Sequence, residues 1–454
     1  MIVSDSVAVS PEVVLRAVEI AGTPCYLYDE GEIARKCDRM LSLPRAFGLG
    51  VRYAMKANPS MAILQLLTDR GLDLDVSSLN EARRARLAGV SYDRMMLTSQ
   101  EVPYGSDRND LEHMMLEGLK YNVCSLRQLR LVSPFCSRRK IPLSIRVHPG
   151  EGSGESSATD TGSDYSSFGV HMTDLDIALE LALESDIALD TVHVHVGSGG
   201  DPEVWLGTLE KMLSLLEDSF PCAHTLNMGG GFPVARMPGE SMVDMEELGS
   251  RTRDSLLDFH RRTGRRLRLE VEPGTFLVAG AGYLLTRVSD LKSTGPDGYR
   301  FVLVDGGMEC NVRPQLYGSR HPFSIVSSQG RLVWNERGEG ESHSRTVPQV
   351  VAGRCCETGD CHGLGRDGNL VPRVMPEPRV GDYLVVGGTG AYCSSMAPFN
   401  YNSFLQAPEL LLRPDGAIVL VRKRQSLLQL VGNELPYRSG VPRQELNEAA
   451  AMCL

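Results

Sequence analysis

The chain has 454 residues, 42% hydrophobic and 23% charged, an ordinary folded composition that sets aside the disordered and membrane classes and by length favours two domains. Its formal net charge of −10, without a long basic run, argues against a general nucleic-acid binder and for small molecules or another subunit as partners. Eleven cysteines, an odd number without framework spacing, read as reduced thiols. The start of the chain, Met1 to Ser6, lacks a basic n-region and a continuous apolar core, so the cytoplasm is the expected location.

Ser10-Pro11-Glu12 predicts a helix start, with serine as cap and proline in the first turn, and Gly22 predicts its end. Short apolar runs then alternate with amphipathic stretches. Strands are expected at 52–55, 72–76, 95–98, 121–124, 143–147, 191–196, 225–228 and 267–271, with helices at 61–70, 79–88, 126–132, 175–183, 204–216 and 246–262. Eight strands so separated, spanning about 220 residues, predict a (β/α)8 barrel rather than a doubly wound sheet. The polar residues support this: Lys56, Ser77, Ser99, Ser125, His148, His195, Gly229 to Gly231 and Glu272 fall at the strands' C-terminal ends or just beyond. That face carries the chemistry of such barrels.

The stretch 150–167, rich in Gly, Ser, Thr and Asp, is expected to be a long mobile loop. After Glu272-Pro273-Gly274 helical periodicity fades into short apolar runs at 276–279, 283–288, 301–304, 323–326, 347–351, 383–386 and 417–421, which predict an all-β second domain. The expected division is a barrel domain over 30–280 and a β-rich domain over 281–435, with residues 1–29 packing on the latter. The tail from about Asn433 is expected to add little to the core.

Lys56 follows an apolar strand and is stopped by Asn58-Pro59. It reads either as a surface lysine or as an amine whose proton is easily lost beside apolar walls, ready to form a Schiff base with an aldehyde. His193 and His195 alternate along their strand and so share a side; His195 is followed by Gly197-Ser198-Gly199, which supplies donors for an anion, and its imidazole can lie flat on an aromatic ring. Gly229-Gly230-Gly231 permits the close backbone approach that cradling a phosphate requires, without the glycine spacing of a dinucleotide fold. Glu272 reads as a rim salt-bridge partner or as the carboxylate for a pyridinium nitrogen. Together these four parts describe a pyridoxal phosphate site. The cluster from Cys355 to His362 makes a poor zinc pattern, because no second ligand pair accompanies it, and no metal is expected.

The segments Tyr53-Ala54-Met55-Lys56-Ala57-Asn58, His195-Val196-Gly197-Ser198, Gly229-Gly230-Gly231-Phe232, Glu272-Pro273-Gly274, Cys356-Glu357-Thr358-Gly359-Asp360 and Gly390-Ala391-Tyr392 resemble the fold-type III pyridoxal phosphate decarboxylases, in order over nearly the whole chain. This family includes the ornithine and diaminopimelate decarboxylases and has an alanine-racemase-like barrel. Arg313-Pro314-Gln315-Leu316-Tyr317-Gly318, Cys356-Glu357 and Asn400-Tyr401-Asn402-Ser403 are most similar to its diaminopimelate branch.

The resemblance implies pyridoxal 5'-phosphate bound covalently at Lys56, stacked on His195, with Glu272 at the ring nitrogen and Ser198, Gly230, Gly231 and Tyr392 around the phosphate. It also implies a homodimer with shared active sites, in which Cys356 and Glu357 reach across to the partner, and Asp75 and Arg146 as an outer layer. One departure stands out: many relatives follow Glu-Pro-Gly with a phosphate-binding arginine, where this chain has Thr275. A hydroxyl gives one neutral hydrogen bond in place of charge-assisted ones.

The expected activity is decarboxylation of an amino acid, with Cys356 returning the proton to the α-carbon and Lys56 as competitor. Substrate choice falls to Arg313, Tyr317, Glu357 and Tyr392. Arginine and glutamate together read a distal centre bearing both carboxylate and ammonium, as in meso-diaminopimelate, whose decarboxylation gives L-lysine. The alternatives are another amino acid such as D- or L-lysine or ornithine or a polyamine or siderophore intermediate, a racemase, against which Glu272 speaks, and a non-catalytic homologue.

Overall fold

The computed structural model describes residues 9–154, 159–164, 166–240, 242–340 and 345–435. The expectations for the first residues, for part of the 150–167 loop and for most of the C-terminal tail lie outside these. The described chain forms two compact units, Glu32–Ala235 with Gly239–Ala279, and residues 9–31 with Arg236–Pro238 and 280–435.

Strand β1 (Cys25–Asp29) belongs to the second unit; the first holds β2 (Leu49–Ala54), β3 (Asp73–Val76), β4 (Met95–Thr98), β5 (Lys120–Val123), β6 (Leu143–His148), β7 (Val170–His171), β8 (Leu189–His193), β9 (Thr225–Asn227) and β10 (Arg268–Val271). All pair in parallel. Because β5 pairs with β6 and β10 with β2, eight strands close into a barrel, and the two-residue β7 is an appendage on β6. Helices such as Met61–Asp69, Leu79–Leu87 and Leu126–Arg139 return the chain between strands. Ser78 and Ser125 cap two of them, each accepting from the amide three residues on, so Ser125 serves its helix start.

Three expectations need correction. The strand expected over 191–196 stops at His193, because the carbonyl of Val196 is taken by the amides of Ser153 and Thr161. The helix expected to end at 132 continues to Arg139 through Pro134. The run 276–279, expected as a strand, lies in the short helix Thr275–Val278 and the turn that follows; it is buried on every side, and an all-apolar run has no period to betray its type.

The barrel interior is polar at both ends. At the N-terminal end Arg52 meets Glu270 in a bidentate pair, Nε to Oε2 at 2.9 Å and Nη2 to Oε1 at 3.1 Å, with both side chains buried. Gly50 makes room for it: a Cβ there would lie 2.9 Å from Glu270 Cγ. Further round, Ser144 donates to Asn122, and Asn122 donates to Thr98, so polar groups contributed by neighbouring strands satisfy one another.

In the second unit β11 (Gly282–Ser293) is the long central strand, pairing antiparallel with β1 and with β17 (Tyr383–Gly387), and at its far end with β12 (Arg300–Val304). β13 (Phe323–Val326) and β14 (Leu332–Asn335) extend the sheet beyond β17, and β15 (Thr346–Ala352) and β16 (Arg373–Pro376) extend it beyond β12. β18 (Glu409–Leu412) runs parallel to β1, and β19 (Ile418–Arg422) closes that side. The helix Pro11–Ala21, capped by Ser10 as its sequence predicts, buries Val14 and Ala17 against Leu27, Leu285 and Val385 of this sheet. Among the described residues no helix is long and apolar enough to cross a membrane.

Removing one member of a buried ion pair strands the other charge. Glu270→Leu is expected to lower unfolding stability by about 3–5 kcal/mol, and the double change Arg52→Met with Glu270→Leu by much less, read from urea denaturation midpoints.

Candidate active site

The mouth of the barrel holds a cavity of about 390 Å³ whose lining includes Lys56, Asp75, Arg146, His193, His195 and Glu272. Lys56 sits in the single turn Met55–Ala57 immediately after β2, so the strand carries the backbone to the rim and the turn presents the side chain, which is exposed. Ser77 and Ser99 line the same cavity. His148 instead faces the loop above it, with its Nε2 3.1 Å from the carbonyl of Ser166.

Glu272 follows β10 by one residue and is buried. Asn227 Nδ2 donates to its Oε1 at 2.7 Å, and His193 Nε2 lies 3.0 Å from its Oε2. Strand register supplies these partners, since Asn227 lies opposite His193 on one side and opposite Glu270 on the other. Burial pushes the carboxyl pKa up, but the paired His193 and the Asn227 hydrogen bond outweigh it and hold Glu272 at about 2, below the ordinary 4.5.

Asp75 goes the other way. Burial, and then the negative charge of Glu272, raise it well above its ordinary value, so the pair shares one ionised member and Asp75 keeps its proton. His195 is pressed well below its ordinary pKa by burial and then by the Arg146 and Lys56 cations, which leaves a neutral imidazole whose Nδ1 is buried without a hydrogen-bond partner among the described residues. Arg146 stacks its guanidinium over Phe168 at 4.7 Å.

The glycine loop adjoins this cavity. Gly229 and Gly231 have φ of 64° and 101°, conformations that favour glycine. A Cβ on Gly229 would lie 2.8 Å from that of His195, and one on Gly230 2.8 Å from the carbonyl oxygen of Glu272. No backbone carbonyl among the described residues takes up the amides of Gly230 or Gly231. Ser198 differs: its amide donates to the carbonyl of Thr159, so it has only its hydroxyl to offer.

The remaining predicted residues lie in the second unit, in two groups. Arg313 is 5% exposed, with its guanidinium 5.3 Å from the Tyr317 ring and 5.9 Å from the Tyr392 ring, and Nη2 donates to Ser319 Oγ at 3.2 Å. Cys356 and Glu357 are exposed, beside Asn402, which accepts from the Cys356 amide at 2.6 Å, and Tyr401, whose hydroxyl is 3.4 Å from Glu357. Their neighbour Cys355 turns inward to Glu309 and Asp360, the three offering ligand atoms within 4.8 Å of one another. Those oxygens already serve the fold: Asp360 accepts from the amides of Met308 and Cys355, and Glu309 from the Gly307 amide and Arg354.

Sequence reading assigned no role to Asn227 and left His193 as a companion of His195. The available signal was alternation: each stands two residues before a site position, His195 and Gly229, and so shares its strand's inward face.

Residues 30–279 match the family model for the pyridoxal-dependent decarboxylase, pyridoxal binding domain. Diaminopimelate decarboxylase of Escherichia coli (strain K12) is 35% identical over 435 residues, covering 93% of this chain and 96% of that protein. A crystal structure of diaminopimelate decarboxylase superposes with a TM-score of 0.83 at 32% identity, covering 94% of this chain and 97% of that one. The enzyme from Helicobacter pylori, solved complexed with L-lysine, gives 0.76 at 26% identity, covering 92% and 98%. The chain belongs to the pyridoxal-dependent decarboxylases and is a pyridoxal phosphate enzyme that decarboxylates an amino acid.

Proposed function

We propose that the protein decarboxylates meso-diaminopimelate to L-lysine and CO2. The observation that carries this reading is the buried Arg313, with two tyrosine rings near it, in a chain 35% identical over 435 residues to a diaminopimelate decarboxylase. A distal carboxylate is the partner such a guanidinium suits, and ornithine and lysine have none.

The residues of the barrel mouth fit the cofactor. The cavity has a lysine at its rim and a ring nitrogen of His195 left unbonded, and the glycine loop is a cradle that a Cβ would fill. When bound, pyridoxal phosphate supplies an aldehyde for covalent capture of the amino acid and a pyridinium that draws off the negative charge left as CO2 departs. Lys56 holds the aldehyde end. His195, neutral, packs its ring on the cofactor without adding a competing cation. Glu272, ionised and with a lone pair to spare on each oxygen, keeps the pyridine nitrogen protonated. Ser198, Gly230, Gly231 and Tyr392 hold the phosphate, while Arg313, Tyr317, Tyr392 and Glu357 bind the distal end of the substrate.

Cys356 returns a proton to the α-carbon, with Lys56 as the competing donor. Because Cys356 and Glu357 are exposed on the single chain, we assign them to the partner's site in a homodimer. The described cysteines are all free thiols, which suits the cytoplasm, where we place the enzyme.

In a release assay for CO2 against meso-diaminopimelate and both enantiomers of lysine and ornithine, meso-diaminopimelate is expected to be the preferred substrate. Preference for any of the others overturns the assignment. Arg313→Ala is expected to reduce kcat/KM for meso-diaminopimelate by roughly two orders of magnitude while leaving the cofactor's visible absorption intact. Mixing inactive Lys56→Ala with inactive Glu357→Ala protein should restore activity, since one site in each mixed dimer is whole; no recovery would exclude shared sites.

Glu272 sets a pH limit. Its folded pKa lies below the ordinary value, so its contribution to stability is complete above pH 4.5 and is lost as pH falls through about 2. Thermal melting of wild type against Glu272→Gln should therefore show a gap that narrows over that window, and a constant gap would contradict the ionised state.

A further inference from the structure

Trp205 lies in the first turn of the helix Pro202–Ser219 and is 4% exposed, and its indole nitrogen has no hydrogen-bond partner among the described residues. A buried tryptophan normally finds an acceptor for that group. Its ring lies against the glycine loop: a Cβ on Gly231 would sit 3.6 Å from indole Cδ1, the carbon bonded to the nitrogen, and 3.0 Å from the carbonyl oxygen of Gly197. The Trp205 ring is also 6.1 Å from Phe232, which in turn is 6.2 Å from Phe276, the neighbour of Thr275. Trp205 therefore stands beside the glycine loop, in ring contact with Phe232, which in turn meets Phe276.

One cation lies at the edge of this junction, Lys36, whose Nζ is 5.4 Å from the Phe276 ring centre. The neutral donors are the amides of Gly230 and Gly231 and the hydroxyls of Ser198 and Thr275. A doubly charged phosphate gains from every further donor in a partly desolvated site. Packing alone needs no N–H at position 205, because a phenylalanine would fill the same aromatic contact with Phe232.

We propose that Trp205 is a phosphate-positioning residue, its indole N–H donating to an anionic oxygen of the cofactor's phosphate at the glycine loop. This rests on the placement of the phosphate at Gly230 and Gly231 given above. The chain meets the anion with an aromatic donor fixed by the first turn of a helix, in addition to the backbone.

The test compares two ligands on cofactor-stripped, full-length protein by equilibrium binding: pyridoxal 5'-phosphate, and pyridoxal, which lacks the phosphate. Trp205→Phe is expected to weaken pyridoxal 5'-phosphate about 10-fold or more and to leave pyridoxal unchanged. Equal loss for both ligands, or loss for neither, overturns the proposal. The wild-type protein gives a second reading that does not depend on how the variant folds. The chain has two tryptophans, Trp205 and Trp334, so two indole N–H resonances are expected by heteronuclear NMR. That of Trp205 should move downfield on adding pyridoxal 5'-phosphate and stay in place on adding pyridoxal; an unmoved resonance with the phosphate ligand bound overturns the assignment. Gly231→Ala separates this inference from the site beneath it. If that change fails to weaken the phosphate ligand relative to pyridoxal, the glycine-loop site itself fails, and if it does weaken it while Trp205→Phe does not, only the indole assignment fails.

Discussion

The barrel mouth is organised around keeping one buried carboxylate ionised. Glu272 stands at the end of β10 inside a closed barrel, where burial alone would neutralise it, and the role proposed for it, holding a proton on a pyridine nitrogen, requires the ionised form. Two donors reverse the balance, Asn227 at 2.7 Å and His193 at 3.0 Å. Both come from neighbouring strands, and strand register determines that they arrive opposite one another. The charge state of the site is thus a consequence of how β8, β9 and β10 are aligned. A slip of one residue in any of them would turn a donor to the other face and let Glu272 take up a proton.

Two glutamates on one strand show how partners, rather than residue type, decide a role. Glu270 and Glu272 are two apart, so both point into the barrel. Glu270 meets Arg52 in a bidentate pair that uses its charge completely, and it serves the fold. Glu272 meets an amide and an imidazole, each spending a single hydrogen bond, and its charge remains available to a ligand. Had the arginine stood at the mouth, the carboxylate would have been equally ionised and functionally silent. Asp75 completes the arrangement by staying protonated, which spares the cavity a second negative charge.

The barrel was legible in the sequence because its strands are short apolar runs between amphipathic helices, and because polar residues collect at one end of each run. Boundaries were less so. The strand leading to His195 reads as apolar through Val196, yet its last carbonyl is claimed by Ser153 and Thr161, more than thirty residues upstream, a partnership that no local pattern announces. The second unit was harder: β1, β14, β16 and β18 escaped notice, since β1 and β18 are almost wholly buried and do not alternate, and β16 ends on a proline. Within the site, Lys56, His195 and Glu272 stood out by position and chemistry, whereas Asn227 is an unremarkable amide until strand register sets it opposite His193. Trp205 was invisible for a related reason, as a helical tryptophan at a buried position looks like core until its nitrogen is found without a partner among the described residues.

Selectivity follows from burial as much as from charge. Arg313 is nearly enclosed, with the Tyr317 and Tyr392 rings 5.3 and 5.9 Å from its guanidinium. In the role proposed for it, Arg313 would meet a substrate carboxylate through charge-assisted hydrogen bonds, and a substrate ending in an ammonium alone would both forgo them and bring a like charge near. Discrimination by a polar group that is left unsatisfied is steep, whereas discrimination by a missing methylene is shallow. The difference in chain length between ornithine and lysine would therefore matter little to this cluster, and the presence of a second carboxylate would matter a great deal. On the proposed assignment, it is the arginine that limits the substrate to acids with two carboxylates.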